Sequence, residues 1–356
     1  MIKVIKKSEK KEITTILGKD VHSIVRKHSD KEKFDEYRKQ WELASKLKIV
    51  PKHPLQIDFE LNYSCNFSCK MCTWSVENAS NRGKKTWLDF SVYKKIIDDG
   101  VKNGLKSVRL NYINEPLIRK DIIKFINYAK DAGVLDVYFS TNGSLLSAKI
   151  SNEILNSGLT RIQVSIDATT KDTFDKVRQG GDFDLVVKNT LNFIKLRNSS
   201  KKELPTMRVN FVRTKINEHE LNDFINFWKD KSDCIGIQDL VSIMDVNKDS
   251  KSDKVFNCAQ PFYHLTVRYD GTILPCCTFF GAKLPISRLK SETEISKEKN
   301  LNNIDLESLK LKTIKETWDS DEMKSLRKMH KDGNYQLNDI CKECVLSTSN
   351  IDDDLY

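Results

Sequence analysis

From residue 57 onward, short β-rich apolar runs alternate with longer stretches whose apolar residues recur at helical spacing. Ile57–Tyr63 predicts a strand, and a helix is expected from about Asp89 to Asn103. Ser107–Tyr112 predicts the second strand, with a helix around Asp121–Ala132. Leu135–Ser140 and a helix after Leu145 form a third unit, and Arg161–Asp167 with Phe183–Arg197 a fourth. Met207–Arg213 with Glu218–Lys229 makes a fifth, and Cys234–Val241 reads as a sixth strand. Regular alternation of this kind argues for parallel strands joined by right-handed crossovers. Six units are too few for a closed eight-unit barrel, so the expected fold class is α/β, a partial (βα)6 barrel. No internal repeat is visible.

Three regions follow from breaks in the pattern. Residues 1–50 read as a helical extension, with Phe34, Tyr37, Trp41 and Leu43 near helical spacing, a stripe that suits packing better than cofactor binding. Residues 51–243 hold the barrel units. The polar run 244–256 marks a boundary, and residues 244–356 form a cysteine-bearing module. Within it, 286–312 is charged and rich in Ser, Lys and Asn, and reads as an insertion or mobile loop.

Composition narrows the class. No run approaches about 18 consecutive apolar residues, and the N-terminus lacks the apolar core of a secretion signal. Nine cysteines without an export signal favour a reducing compartment and metal ligation over disulfides, so the cytoplasm is expected. The net charge of +10 is uneven: residues 1–50 hold 14 Lys or Arg against 8 Asp or Glu, so +6 of it lies there. Interleaved acids make a solvated lysine-rich surface the plainer reading. No RNA-binding aromatic signature or helix-turn-helix pattern argues for nucleic acid.

The chemistry-bearing feature is Cys65-x3-Cys69-x2-Cys72, directly after the first strand. Thiolates at such spacing hold iron–sulfur clusters or zinc, and spacing alone leaves both open. A cubane with three protein ligands keeps one iron free for chemistry.

The flanking segments resemble the radical S-adenosylmethionine (SAM) superfamily over roughly residues 55–240. ELNYSCNFSCKMC resembles its cluster loop, and VRLNYINEPLI its second-strand Gly-Gly-Glu region, which meets the SAM amino group. STNG at 140–143 and QVSIDA at 163–168 resemble the segments lining the cofactor, and DKVRQGGDFDLVVKNTLNFIK a stretch common after the fourth strand. The resemblance implies a 4Fe–4S cluster on Cys65, Cys69 and Cys72 that chelates SAM, with each motif at a strand's C-terminal end. Met71 stands where the family often has an aromatic residue, and it can cover an adenine face. Tyr112, Ile113 and Asn114 replace the glycines ahead of Glu115, the expected partner of the SAM ammonium, with Asn114 beside it in the cofactor set. Ser165 and Asp167 would meet the ribose or cap the next helix. Asn142 would contact the cofactor or serve the turn, and Arg178 would reach the SAM carboxylate or lie on the surface. Val212 is expected near adenine, or in the core.

Cys258, twelve residues, Gly271, four residues and Cys276, with a turn at Asp270–Thr272, resembles the opening of a SPASM/twitch module. Cys341 and Cys344 complete four ligands for one auxiliary 4Fe–4S cluster, with a four-thiolate zinc as the alternative. Cys234 and Cys277 are left over. Either suits a buried inert thiol or, as in some family epimerases, a hydrogen donor to a substrate radical, and Cys277 could replace Cys276 as a ligand. The six histidines show no spacing suited to metal or triad work.

A fully ligated auxiliary cluster suits electron acceptance. The resemblance therefore points to dehydrogenation or epimerisation of a polar small molecule such as a sugar or aminocyclitol, reduced through a flavodoxin or ferredoxin. Radical modification of a peptide or protein side chain is the alternative. A non-catalytic metal-binding or RNA-interacting protein is the reading from another class.

Overall fold

The computed structural model describes residues 14–72, 87–240, 256–290 and 308–347. One sheet of 11 strands runs through the described chain. Its centre is six parallel strands: β2 (Gln56–Phe59), β3 (Ser107–Arg109), β4 (Asp136–Thr141), β5 (Arg161–Ser165), β6 (Thr206–Arg213) and β7 (Cys234–Asp239), paired in chain order. Helices at Phe90–Asn103, Ile122–Asp131, Ala148–Leu155, Phe183–Ser199 and Leu221–Trp228 fill the crossovers. The partial six-unit barrel expected from periodicity is therefore present. Among the described residues no helix is long and apolar enough to cross a membrane.

Strand alternation explains the packing. Ile57, Phe59, Val108, Val137, Phe139, Ile162, Val164, Val209 and Phe211 face outward into one core with Tyr93, Phe125, Phe193 and Trp228 of the helices. The intervening residues face the barrel interior and are almost all polar: Gln56, Asp58, Arg109, Tyr138, Ser140, Gln163, Arg208, Asn210. Strands of an all-parallel sheet ordinarily read as continuous apolar runs. This interior is built otherwise.

One expectation needs correction. The segment ahead of the barrel is not helical throughout: Thr14–Gly18 forms β1, antiparallel to β7, before α1 (Val21–Lys27) and α2 (Lys31–Ser45). The TTILG run is β-branched and apolar, and the free edge of β7 gives it a partner. Within α2, Phe34 and Tyr37 pack as expected, while Trp41 reaches Tyr263, with ring centroids 4.2 Å apart.

The cysteine-bearing module joins the same sheet. Its β8 (His264–Val267) pairs in parallel with β2 and continues through β9 (Thr272–Leu274), β10 (Ser287–Leu289) and β11 (Leu311–Lys312). The ends of the polar 286–312 stretch thus pair with each other as β10 and β11. Residues 291–307, and the boundary run at 244–255, lie outside the described residues.

Asp233 ties the base of the barrel together. It accepts from Lys19 Nζ at 3.0 Å and the Met207 amide at 2.8 Å, and pairs with Arg197. Burial works to raise its carboxyl, but Arg197 and these donors outweigh that and hold it below the usual range. Its stabilisation is therefore present above the ordinary aspartate value of about 4 and fades as pH falls through the lowered one. Asp233→Ala strands a buried guanidinium and should cost about 3–5 kcal/mol, read as a lowered urea midpoint.

Candidate active site and cluster centres

The three-cysteine loop lies at the C-terminal end of β2, held from both sides. The Ser68 amide donates to the Gln179 carbonyl at 2.7 Å, and Phe67 is buried against Gly181. A Cβ on Gly181 would fall 2.4 Å from the Phe67 ring, so the Gly180–Gly181 turn is the floor under the cluster loop as well as a connection. On the other side Tyr63 stacks on Tyr269, with centroids 4.9 Å apart.

Cys65 and Cys72 are half-buried, Cys69 is buried, and none forms a disulfide. Burial, with Glu115 nearby, pushes the Cys65 thiol up to about 12. Burial also raises Cys69, against a pull from Arg178, whose Nη1 lies 3.8 Å from its sulfur. The Phe67 amide, which donates to Cys65 Sγ at 3.5 Å, and Arg178 beside Cys69 oppose that rise without overcoming it. Three cysteines on one tight loop suit a metal centre, which deprotonates its ligands outright.

Around this loop the structure gathers most of the expected cofactor residues at the strand ends. Glu115 is buried: Oε1 accepts from the Leu117 amide at 3.0 Å and the Thr141 hydroxyl at 2.7 Å, and Oε2 from the Asn142 amide at 2.7 Å. Burial raises its carboxyl to about 7 against those donors. Oε2, with one donor, keeps a lone pair for an ammonium. Asn114 sits differently from expectation, since both ends of its amide are taken. Oδ1 accepts from the Tyr112 amide at 3.0 Å and Nδ2 donates to Asn62 at 2.8 Å. Asn62 in turn donates to the carbonyls of Ser64 and Glu115, and the Glu115 amide donates to the Ser64 carbonyl at 3.0 Å. Side-chain hydrogen bonds thus replace the missing glycines as the means of holding two loops close.

Asn142 serves the turn: Oδ1 accepts from Ser144, and Nδ2 donates to Asn66 at 2.9 Å. Asp167 does not cap the following helix, Lys171–Val177, whose N-cap is Thr170. It is buried with φ +63°, takes the Val212 amide at 2.7 Å, and pairs with Arg178. Burial raises its carboxyl against the opposing pull of that arginine. Arg178 is accordingly no surface residue but is clamped beside Cys69. Ser165 does not cap that helix either. It ends β5 half-buried, and its hydroxyl has no protein partner among the described residues. Met71 and Val212 are half-buried at the same rim.

The second centre gathers four half-buried cysteines. Cys258, Cys276, Cys341 and Cys344 line one apolar cavity with Phe256, Pro261, Phe280, Leu326 and Val345. Burial raises all four thiols, Cys341 and Cys344 to about 12. Four soft donors around one apolar cavity suit a fully ligated cluster or zinc. Cys277 does not share it. Its thiol turns into a separate polar cavity at the barrel interior, 3.8 Å from Gln260 Oε1, so Cys276 is the fourth thiol of the second centre. Burial pushes Cys277 up to about 12. Cys234 is buried at the N-terminal end of β7, paired with Gly18, and burial raises it to about 11. A Cβ on Gly281 would lie 2.6 Å from Cys276 Sγ. Gly281→Val should therefore displace a ligand and lower iron by up to about four per chain, as counted after anaerobic reconstitution.

Sequence reading missed the band that crosses the interior. Arg109 donates to Ser140 Oγ at 3.2 Å, and Ser140 to Gln163 Oε1 at 3.1 Å. The same Gln163 oxygen takes Arg208 Nη2 at 2.5 Å. Arg208 Nε has no partner, and burial lowers its guanidinium to about 10. The signal lay in the polar alternate positions of SVRLN, DVYFS, RIQVS and MRVNFV.

A three-thiol loop at the mouth of a partial parallel barrel, backed by a four-thiol centre, is the arrangement of a protein with two metal-binding centres. Sequence profiles agree: residues 59–227 match the radical SAM superfamily and 258–345 an iron–sulfur cluster-binding domain. The chain carries a radical SAM domain followed by an iron–sulfur cluster-binding domain. Its cofactors are a 4Fe–4S cluster with S-adenosylmethionine at the first centre and an auxiliary iron–sulfur cluster at the second.

Relatives include a probable GTP 3',8-cyclase of Sulfurisphaera tokodaii, 31% identical over 47% of this chain and 50% of that protein. The mycofactocin maturase MftC of Mycolicibacterium smegmatis is 29% identical over 48% of this chain and 41% of that protein. The chain spans about half the length of the curated relatives it matches. Streptococcus suis SuiB bound to S-adenosylmethionine has the same fold, with a TM-score of 0.56 at 15% identity, covering 84% of this chain and 74% of SuiB.

Proposed function

We propose that the chain reductively cleaves S-adenosylmethionine and abstracts hydrogen from a polar small molecule, oxidising or epimerising a sugar- or aminocyclitol-like substrate. When bound, the cluster and SAM supply the 5′-deoxyadenosyl radical. Cys65, Cys69 and Cys72 would hold the cluster. Glu115 Oε2 would take the SAM ammonium, Arg178 its carboxylate, and Ser165 a ribose hydroxyl, with Met71 and Val212 covering adenine. Asp167 holds Arg178 in place. Asn114 and Asn142 brace the loops these groups stand on.

The observation that carries the substrate class is the polar interior. Arg109, Ser140, Gln163 and Arg208 form a hydrogen-bonded band below the rim, with Arg208 Nε unpartnered. A hydroxyl-rich substrate satisfies such groups, whereas an apolar one would strand them. For epimerisation, Cys234 and Cys277 are the available hydrogen-donating thiols. The reductant would be a flavodoxin or ferredoxin, and the setting the cytoplasm.

The test is isotopic. Reduced holoenzyme is offered deuterated sugars and aminocyclitols, and separately deuterated peptides. Deuterium in 5′-deoxyadenosine from the first set supports this reading. Transfer from peptides alone would replace it with side-chain modification.

A further inference from the structure

The polar cavity below the band holds a group that neither cluster uses. Asp58 of β2 and His264 of β8 project on one face of adjacent parallel strands, where Gln56 pairs with His264 and Asp58 with Thr266. Cys277 enters from beyond β9, its neighbour Cys276 having turned the other way. The ligand atoms of Asp58, His264 and Cys277 all lie within 4.8 Å of one another. Asp58 and His264 are 0% and 1% exposed.

Their polar atoms are poorly served. Asp58 Oδ2 and both ring nitrogens of His264 are buried without a hydrogen-bond partner among the described residues. His264 Nε2 is 3.3 Å from Asp58 Oδ1 but lacks the alignment of a hydrogen bond. Buried polar atoms left this way are costly, and one ion among them would relieve several at once.

We propose that Asp58, His264 and Cys277 form a mononuclear zinc-type site with its fourth position open to the cavity. Tetrahedral zinc with bonds of about 2.0–2.3 Å places its ligands roughly 3.3–3.8 Å apart, so the set contracts by about 1.5 Å at most. Carboxylate, thiolate and neutral imidazole balance the dication. Outer partners are in place: Gln56 Nε2 donates to Asp58 Oδ1 at 2.6 Å and to Tyr138 Oη at 3.0 Å. Arg109 Nη1 stands 3.6 Å from Asp58 Oδ2 and Arg38 lines the same cavity, while Arg161, also in its lining, is neutralised by Asp136. Arg109 and Arg38 leave the loaded site positive, so its open position would take an anion or hydroxide. A metal-bound thiolate has no S–H to give, so a loaded site would take Cys277 out of the hydrogen-donor role.

The histidines looked unremarkable for metal work because this one's partners come from residue 58 and from beyond a strand. The inference stands on the cavity and is independent of the radical reaction.

The test uses reconstituted holoenzyme equilibrated with zinc chloride, followed by metal counting and zinc-edge X-ray absorption. One zinc per chain beyond the cluster iron, with a single sulfur and otherwise nitrogen or oxygen ligands, is expected. His264→Gln and Cys277→Ser should each weaken zinc binding by at least about tenfold, with iron and sulfide unchanged. If His264→Gln does not fold, the half-buried Cys277→Ser decides. No bound zinc, an all-sulfur shell, or zinc indifferent to Cys277→Ser overturns the proposal.

Discussion

Cys72→Ala is expected to reduce 5′-deoxyadenosine release to background and to remove about four irons per chain, leaving the auxiliary centre filled. The loop offers no substitute ligand. Met71 is a weak thioether donor, and the other cysteines are committed to the second cavity, the polar cavity or the base of β7. Cleavage depends on an iron that the remaining thiolates can no longer hold, so the loss should be on the order of 10³ or more in rate, set against ordinary enzymatic accelerations of at least ~10⁶. The fold should survive, because Cys72 is half-buried on a loop and the barrel core lies behind it. Unchanged SAM cleavage would refute the ligand assignment.

Cys344→Ala should separate the two centres. Uncoupled SAM cleavage persists, since the first loop is untouched, while oxidative turnover stops and iron falls by about four. The structure sharpens this expectation: Cys277, adjacent in sequence to a ligand, faces another cavity and cannot step in. Retention of iron and product would contradict the auxiliary-cluster account. Zinc with an all-sulfur shell in the unaltered protein would replace that cluster with a structural ion.

How much of this was legible in the sequence depended on the range over which each signal acts. The cluster loop and the six βα units were readable because spacing and periodicity are local. The helix Lys171–Val177 escaped notice, being only two turns long inside a turn-rich stretch. Strand β1 escaped because its reason for existing is the free edge of β7, over 200 residues away. The same limit governs the site. Asp167 is tied to Arg178 and Val212, and Asn114 to Asn62, by contacts that only the folded chain creates. Which of Cys276 and Cys277 turns toward the four-thiol cavity is likewise decided by the hairpin's geometry. The polar interior was legible in principle, in the alternation of the parallel strands.

The central claim is a cubane on Cys65, Cys69 and Cys72 with one iron free to bind SAM. Its most direct measurement is 5′-deoxyadenosine released by anaerobically reconstituted, dithionite-reduced protein whose iron and sulfide have been counted. The account predicts about eight irons per chain, as two cubanes require, and release of the nucleoside that depends on both reductant and SAM. Protein carrying that iron but releasing none would contradict it.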